Sequence, residues 1–134
     1  MISFLKIKNE AQSKNPRFVF FFALILGFCI QAFSADRYWI ATSTGSWNST
    51  SNWSTSATGA GGASVPGASD AVFFTSSRNG DCNINATVNV SALTIQTGHT
   101  GTITQNSNSI TTSGNFSIAG GTFLAGSSNI TING

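Results

Sequence analysis

The sequence predicts an all-β protein, a parallel β-helix of about three rungs with three short strands in each, preceded by an export leader. Short alternating apolar triplets recur from Ala71 onward with a spacing near 20 residues. Gly, Asn and Ser fill the gaps between them, and no amphipathic helical stretch follows the leader. Very short strands joined by tight corners suit a chain wound in stacked turns. Each turn buries a few side chains inward and hydrogen-bonds to the next turn about 4.8 Å away.

The leader is taken as residues 1–35. Lys6, Lys8, Lys14 and Arg17 stand against Glu10 alone, and the apolar run "FVFFFALILGFCI" follows over 18–30. A basic region, a short apolar run and then small residues make a secretory signal peptide. The run falls short of the ~20 residues that cross a bilayer as a helix. In "QAFSAD", Ala32 and Ser34 take the two small positions, so cleavage is expected after Ser34 or Ala35. An uncleaved anchor is the competing reading, which the long basic stretch permits; bulky Phe28 before Cys29 argues against lipidation.

Removing the leader takes away four of the six basic residues. Arg37 and Arg78 then face Asp36, Asp70 and Asp81, with no Lys and no Glu, so the basic character belongs to the leader. No electrostatic footprint for nucleic acid or an anionic membrane remains, and no membrane span is expected after cleavage. Cys82 is then the only cysteine, which excludes an intrachain disulfide. With no His or Lys nearby in sequence to activate it, Cys82 is expected to be a small buried apolar residue.

Residues 36–70 are read as an N-terminal cap with its Gly-rich loop. All three Trp and the only Tyr fall in this segment, among β-formers and turn-formers, which predicts an irregular cap with one or two short strands. "TGAGGASVPGASD" supplies the loop, and Asp70 leads into "AVFF".

Residues 71–134 are read as the rungs, open at the C-terminus. Val72 and Leu93 are 21 apart, Leu93 and Phe116 23, Ile84 and Ile103 19, Ile103 and Phe123 20, Val88 and Ile110 22, Ile110 and Ile130 20. These pairs are expected to stack. Asn108 with Asn129, and Gly114 with Gly134, are expected at matching corners, the amides bonding to one another and the glycines taking positive φ. A disordered stalk does not fit a chain with little net charge and periodic β-branched residues. A β-sandwich would need hairpin loops, of which Asn79-Gly80-Asp81 is one candidate.

On "RYWIATSTGSWNSTSNWS", "SVPGASDAVFF", "NVSALTIQTGHTGTIT" and "GNFSIAGGTFLAGSSNITING", the chain resembles the N-terminal part of bacterial secreted and surface β-solenoid proteins of the repetitive adhesin or autotransporter-passenger type. The resemblance implies export, a right-handed helix and a structural or adhesive role, and brings no catalytic residues. Such proteins run for many more rungs, so the chain is expected to be the N-terminal fragment of a larger repetitive protein or a unit that stacks end to end on its open rung.

Parallel β-helices also serve as polysaccharide lyases and hydrolases, whose chemistry needs clustered carboxylates or a carboxylate beside Arg or Lys. Asp70, Arg78 and Asp81 are the best such cluster, with solvated turn residues and a local Arg-Asp pair as the plainer reading. His99, between Gly98 and Thr100, is expected at a surface corner. No metal-ligand spacing is present and no cofactor is expected. The six sequons at Asn48, Asn52, Asn85, Asn89, Asn115 and Asn129 are unsurprising in a chain this rich in Ser and Thr.

Trp47 and Trp53 are the candidate carbohydrate-binding residues, by stacking on sugar rings among amides and hydroxyls. Their alternative role, with Trp39, is to plug the open end of the stack. The sequence therefore points to a non-enzymatic module, secreted or at the cell surface, with glycans or surface polymers as partners. A carbohydrate-binding module and a fragment of a polysaccharide-active enzyme are the alternatives.

Overall fold

Alternation of inward and outward side chains over two to four positions runs through the strands after the cap. In β4 (Ala71–Phe74), Val72 and Phe74 are buried while Ala71 and Phe73 are partly exposed. The same alternation runs through β5 (Cys82–Asn83), β6 (Val88–Val90), β7 (Ala92–Ile95), β8 (Thr102–Thr104) and β9 (Ile110–Thr112). In sequence it continues through β10 (Phe116–Ile118) and β12 (Ile130–Ile132), while β11 (Thr122–Leu124) carries adjacent Phe123 and Leu124. Successive side chains in a strand point to opposite faces, so residues two apart share a side.

The computed structural model describes residues 34–134. The signal-peptide reading of 1–33, Cys29 included, lies outside the described residues. Within them the protein is all-β, with three sheets and one short 3-10 helix, Thr50–Asn52. The first sheet has the order β10-β7-β4-β1-β3, the second β11-β8-β5-β2 and the third β12-β9-β6. From β4 onward the chain visits the three sheets in rotation, and every pairing between layers is parallel.

Five of the six expected stacks match the register. Val72 pairs with Leu93 and Leu93 with Phe116; Ile103 pairs with Phe123, Val88 with Ile110 and Ile110 with Ile130. The sixth is corrected by two residues, since Ile103 pairs with Cys82 rather than Ile84. Cys82 and Ile84 both point inward, and a slip of two keeps the same face inside, so the pattern alone cannot separate them.

The pairing also begins earlier than Ala71. Strand β1 (Asp36–Trp39) lies parallel to β4, and β2 (Gly45–Ser46) parallel to β5. The segment read as a cap therefore supplies the first strands of two sheets. Capping proper falls to β3 (Trp53–Ser54), which pairs antiparallel with the free side of β1. Beyond it the Gly-rich loop folds back, with the Gly62 N–H donating to the Thr50 carbonyl and that of Ala63 to the Trp53 carbonyl. Ala63 and Val65 from this loop pack on the core, and Pro66 is buried.

Trp39, Trp47 and Trp53 close this end from inside. Trp53 meets Trp47 and Trp39 edge to face, with centroids 4.7 and 5.1 Å apart, and Phe74 lies beneath all three. The indole N–H of Trp39 donates to the Gly80 carbonyl at 2.8 Å and that of Trp53 to the Trp47 carbonyl at 2.6 Å. Burial of Trp39 and Trp53 is tolerated because their indole N–H groups find acceptors.

The corners differ from the expected amide ladder. Asn108 sits level with Ser128, not Asn129, and its amide donates to the Ile84 carbonyl at 2.7 Å. Asn106 donates to the same carbonyl at 3.0 Å while holding φ at 56°, a left-handed conformation that asparagine tolerates. Gly114 and Gly134 do stack, but neither has positive φ; a Cβ on Gly134 would strike the Gly114 backbone. Close approach, rather than turn conformation, requires glycine there.

Candidate functional site

The expected sugar-binding residues are corrected first. Trp47 and Trp53 are 1% and 0% exposed, so neither offers a ring face to a ligand. Ser54, the hydroxyl residue following Trp53, is buried with it, while Ser46, Asn48 and Ser51 are exposed. The surface aromatic pair is instead Tyr38 and Phe73, neighbours in register on the outer face of the first sheet. Their rings stack on each other at 5.2 Å, so each covers a face of the other. The Tyr38 hydroxyl donates to Asp36 Oδ2 at 3.3 Å. Partial burial, then the charge and hydrogen bond of Asp36, hold its phenol above the usual range.

Asp70, Arg78 and Asp81 do not assemble into one cluster. Asp70 is buried at the start of β4, where Oδ2 accepts the Gly67 N–H at 2.9 Å and Oδ1 the Ala35 N–H at 3.3 Å. Its nearest cation is Arg37, with Nε at 3.9 Å, and this is the only ion pair among the described residues. Asp81 sits before β5 and is committed to the backbone, its Oδ1 accepting the Thr102 N–H at 2.8 Å. Asn79 does the same for the Thr100 N–H at 2.9 Å. These side chains tie one layer to the next.

His99 is also corrected. It is 2% exposed, its ring set edge to face against Phe74 and its Nδ1 hydrogen-bonded to the Thr75 carbonyl at 3.0 Å. Nδ1 carries the proton in that pairing, because a carbonyl only accepts, and buried Nε2 has no partner. The flanking residues in "TGHTG" suggest a surface corner; packing under Phe74 is invisible in them. Cys82 is buried and free as expected, and burial pushes its thiol well up. No group of His, Cys, Asp and Glu suited to a metal occurs among the described residues.

The opposite end of the stack has a different character. Strands β10, β11 and β12 are the outermost strands of the three sheets at this one end, with no neighbour strand beyond them among the described residues. Ile118, Leu124 and Ile132 are each 50% exposed. Ile118 and Ile132 stand level with inward-pointing Ile95 and Thr112, so they lie on the inward face of the last described layer. Leu124 stands level with Thr104 on the outer face. Unpaired strand edges beside apolar side chains form a surface suited to further strand pairing.

This end is anchored from within by Gln105, which sequence pattern did not single out. Fully buried, its amide donates to the carbonyls of Asn108 at 3.0 Å and Ser128 at 2.8 Å, and its Oε1 accepts the Gly126 N–H at 2.8 Å. A single corner side chain thereby fixes the turn leading into β12. Comparison with protein-family models, curated proteins and solved structures gave no match.

Proposed function

We propose that this chain is an exported, non-catalytic structural or adhesive module, a right-handed parallel β-helix whose last layer is its pairing surface. The observation that carries this reading is the end formed by β10, β11 and β12, where three parallel sheets stop together with apolar side chains half exposed. The other end is closed by β3 and the tryptophans. Among the described residues one end is sealed and the other open. Further strands of the same kind, from this chain or another, fit the open one.

Several features of the surface support a role in the extracytoplasmic milieu. Its polarity comes from hydroxyls and amides, and the charged residues of 34–134 are Asp36, Arg37, Asp70, Arg78 and Asp81. Such a surface depends little on ionic strength. The basic stretch and apolar run ahead of it read as the secretion signal, and glycans or surface polymers are the partners that a hydroxyl-rich stack would meet.

The test is expression of the full chain in a bacterium with a general secretory pathway, followed by fractionation and adhesion to polysaccharide-coated surfaces. The expected result is an exported protein with β-sheet circular dichroism that increases retention of the cells displaying it. Cleavage of uronate polymers, lost in Asp81→Asn with the fold intact, would replace this reading with an enzymatic one.

A further inference from the structure

We infer that the leader is cut between Ser34 and Ala35, and that the α-ammonium so created on Ala35 becomes the direct cationic partner of the Asp70 carboxylate. The inference rests on reading the leader as a secretion signal. It adds the position of the cut and the use the fold makes of the new terminus.

Two cuts, after Ser34 and after Ala35, fit the small residues of "QAFSAD", and the folded chain distinguishes them. The Ala35 carbonyl accepts the Ala71 N–H at 3.1 Å, one step ahead of the register in which Asp36 pairs with Ala71. The Ala35 N–H points to Asp70 Oδ1 at 3.3 Å. Among the described residues, Ala35 is thus the first that the fold uses on both its backbone groups. A cut after Ala35 would delete both bonds. It would also place bulky Phe33, rather than Ala32, at the outer small position of the cleavage motif.

Among the described residues the only cation paired with Asp70 is Arg37, at 3.9 Å and without a hydrogen bond to it. Only 10% of the Asp70 side chain is exposed, and its partners are two backbone N–H groups. Arg37 Nε stays 3.9 Å away because its guanidinium is engaged elsewhere. Nε donates to the Ser64 carbonyl at 3.2 Å, Nη2 to Ser64 Oγ at 2.8 Å and Nη1 to the Asp36 carbonyl at 3.2 Å. A buried carboxylate is costly without charge-assisted hydrogen bonds. Hydrolysis of the Ser34–Ala35 bond consumes one water, leaving a carboxylate on Ser34 and an amine on Ala35 that is protonated at neutral pH. The Asp70 contact then changes from an amide to a full positive charge with three donors. The charged groups around it are Asp36 and Arg37 on its own strand and Asp70 from the loop before β4; β3 and β4 contribute none.

The precursor, expressed in full and exported, is analysed by intact mass and N-terminal sequencing. A chain beginning at Ala35 is expected. A chain beginning at Asp36 overturns the inference while leaving export intact, and a chain retained unprocessed in the cytoplasm overturns the signal reading together with it. The ion pair has its own readout, because the mature chain contains no Lys and its α-amine is the sole primary amine. Acylation of that amine at neutral pH is expected to be several-fold slower in the folded protein than in urea, because the adjacent carboxylate favours the protonated, unreactive form. Asp70→Asn is expected to remove the protection. Equal rates in folded and unfolded wild-type protein would overturn the pairing without any variant.

Discussion

Gln105 is fully buried, yet all three of its side-chain hydrogen bonds go to backbone groups, two of them in the last turn. Gln105→Leu keeps the volume but strands two carbonyls and one N–H, so a loss of about 3 kcal/mol is expected in urea unfolding. An unchanged midpoint would show that water replaces the amide. Cys82 gives a second residue-level prediction. Its thiol pKa is raised in the fold from an ordinary 9.0 by burial, so above pH 9 the unfolded chain loses a proton that the folded chain keeps. Stability from this group is full below pH 9 and falls above it, by about 1.4 kcal/mol at pH 10. Cys82→Ala is expected to flatten that decline, and thiol reagents to label the wild type only as it unfolds. The inertness of Cys82 was legible in a sequence with no activating neighbour. Gln105 and His99 were not legible, because their polarity marks them as surface until the backbone of another turn is brought alongside.

Among the elements, β3 and the aromatic plug carry the clearest consequence. Trp53 is buried against Trp39, Trp47 and Phe74 while its strand covers the outer side of β1. Trp53→Ala is expected to cost about 3–5 kcal/mol by cavity formation. It should also expose the β1 edge, so soluble yield and thermal midpoint should fall together. Corners are the other sensitive elements. Gly121 has φ +60°, and a Cβ there would stand 2.7 Å from the Gly101 carbonyl oxygen and 3.0 Å from the His99 ring. Gly121→Ala should therefore destabilise by at least 1 kcal/mol, whereas Gly62→Ala meets nothing within 4 Å and bears only the cost of its own positive φ. Strand positions from Ala71 onward could be read from alternation alone. The assignment of β1 and β2 to the same sheets could not, since the spacing from Arg37 to Val72 is far longer than the later repeat and hides the match.

At the scale of the whole stack, the two ends of the described residues are unlike, and association of this chain should follow the open one. Leu124→Lys with Ile132→Lys places charge on two side chains that are each half exposed. The double variant is expected to change thermal stability little, because half-exposed apolar residues contribute little to the fold. It should suppress concentration-dependent association in sedimentation velocity, since lysine is an effective block to edge pairing. Identical association in the parent and the variant would remove the pairing role from this edge.

Alternating triplets at a spacing near 20 residues determined, without any coordinates, that the described residues are all-β and which side chains stack in five of six pairs. Side-chain periodicity encodes the inward face, and the repeat length encodes the layer. Only the tertiary structure decided the remainder: which of Cys82 and Ile84 meets Ile103, that Trp47 and Trp53 are core, and that Asp70 lies beside the Ala35 amide. Each of these depends on contacts between residues distant in sequence. A polar or aromatic residue has the same local pattern whether the next turn covers it or leaves it to solvent.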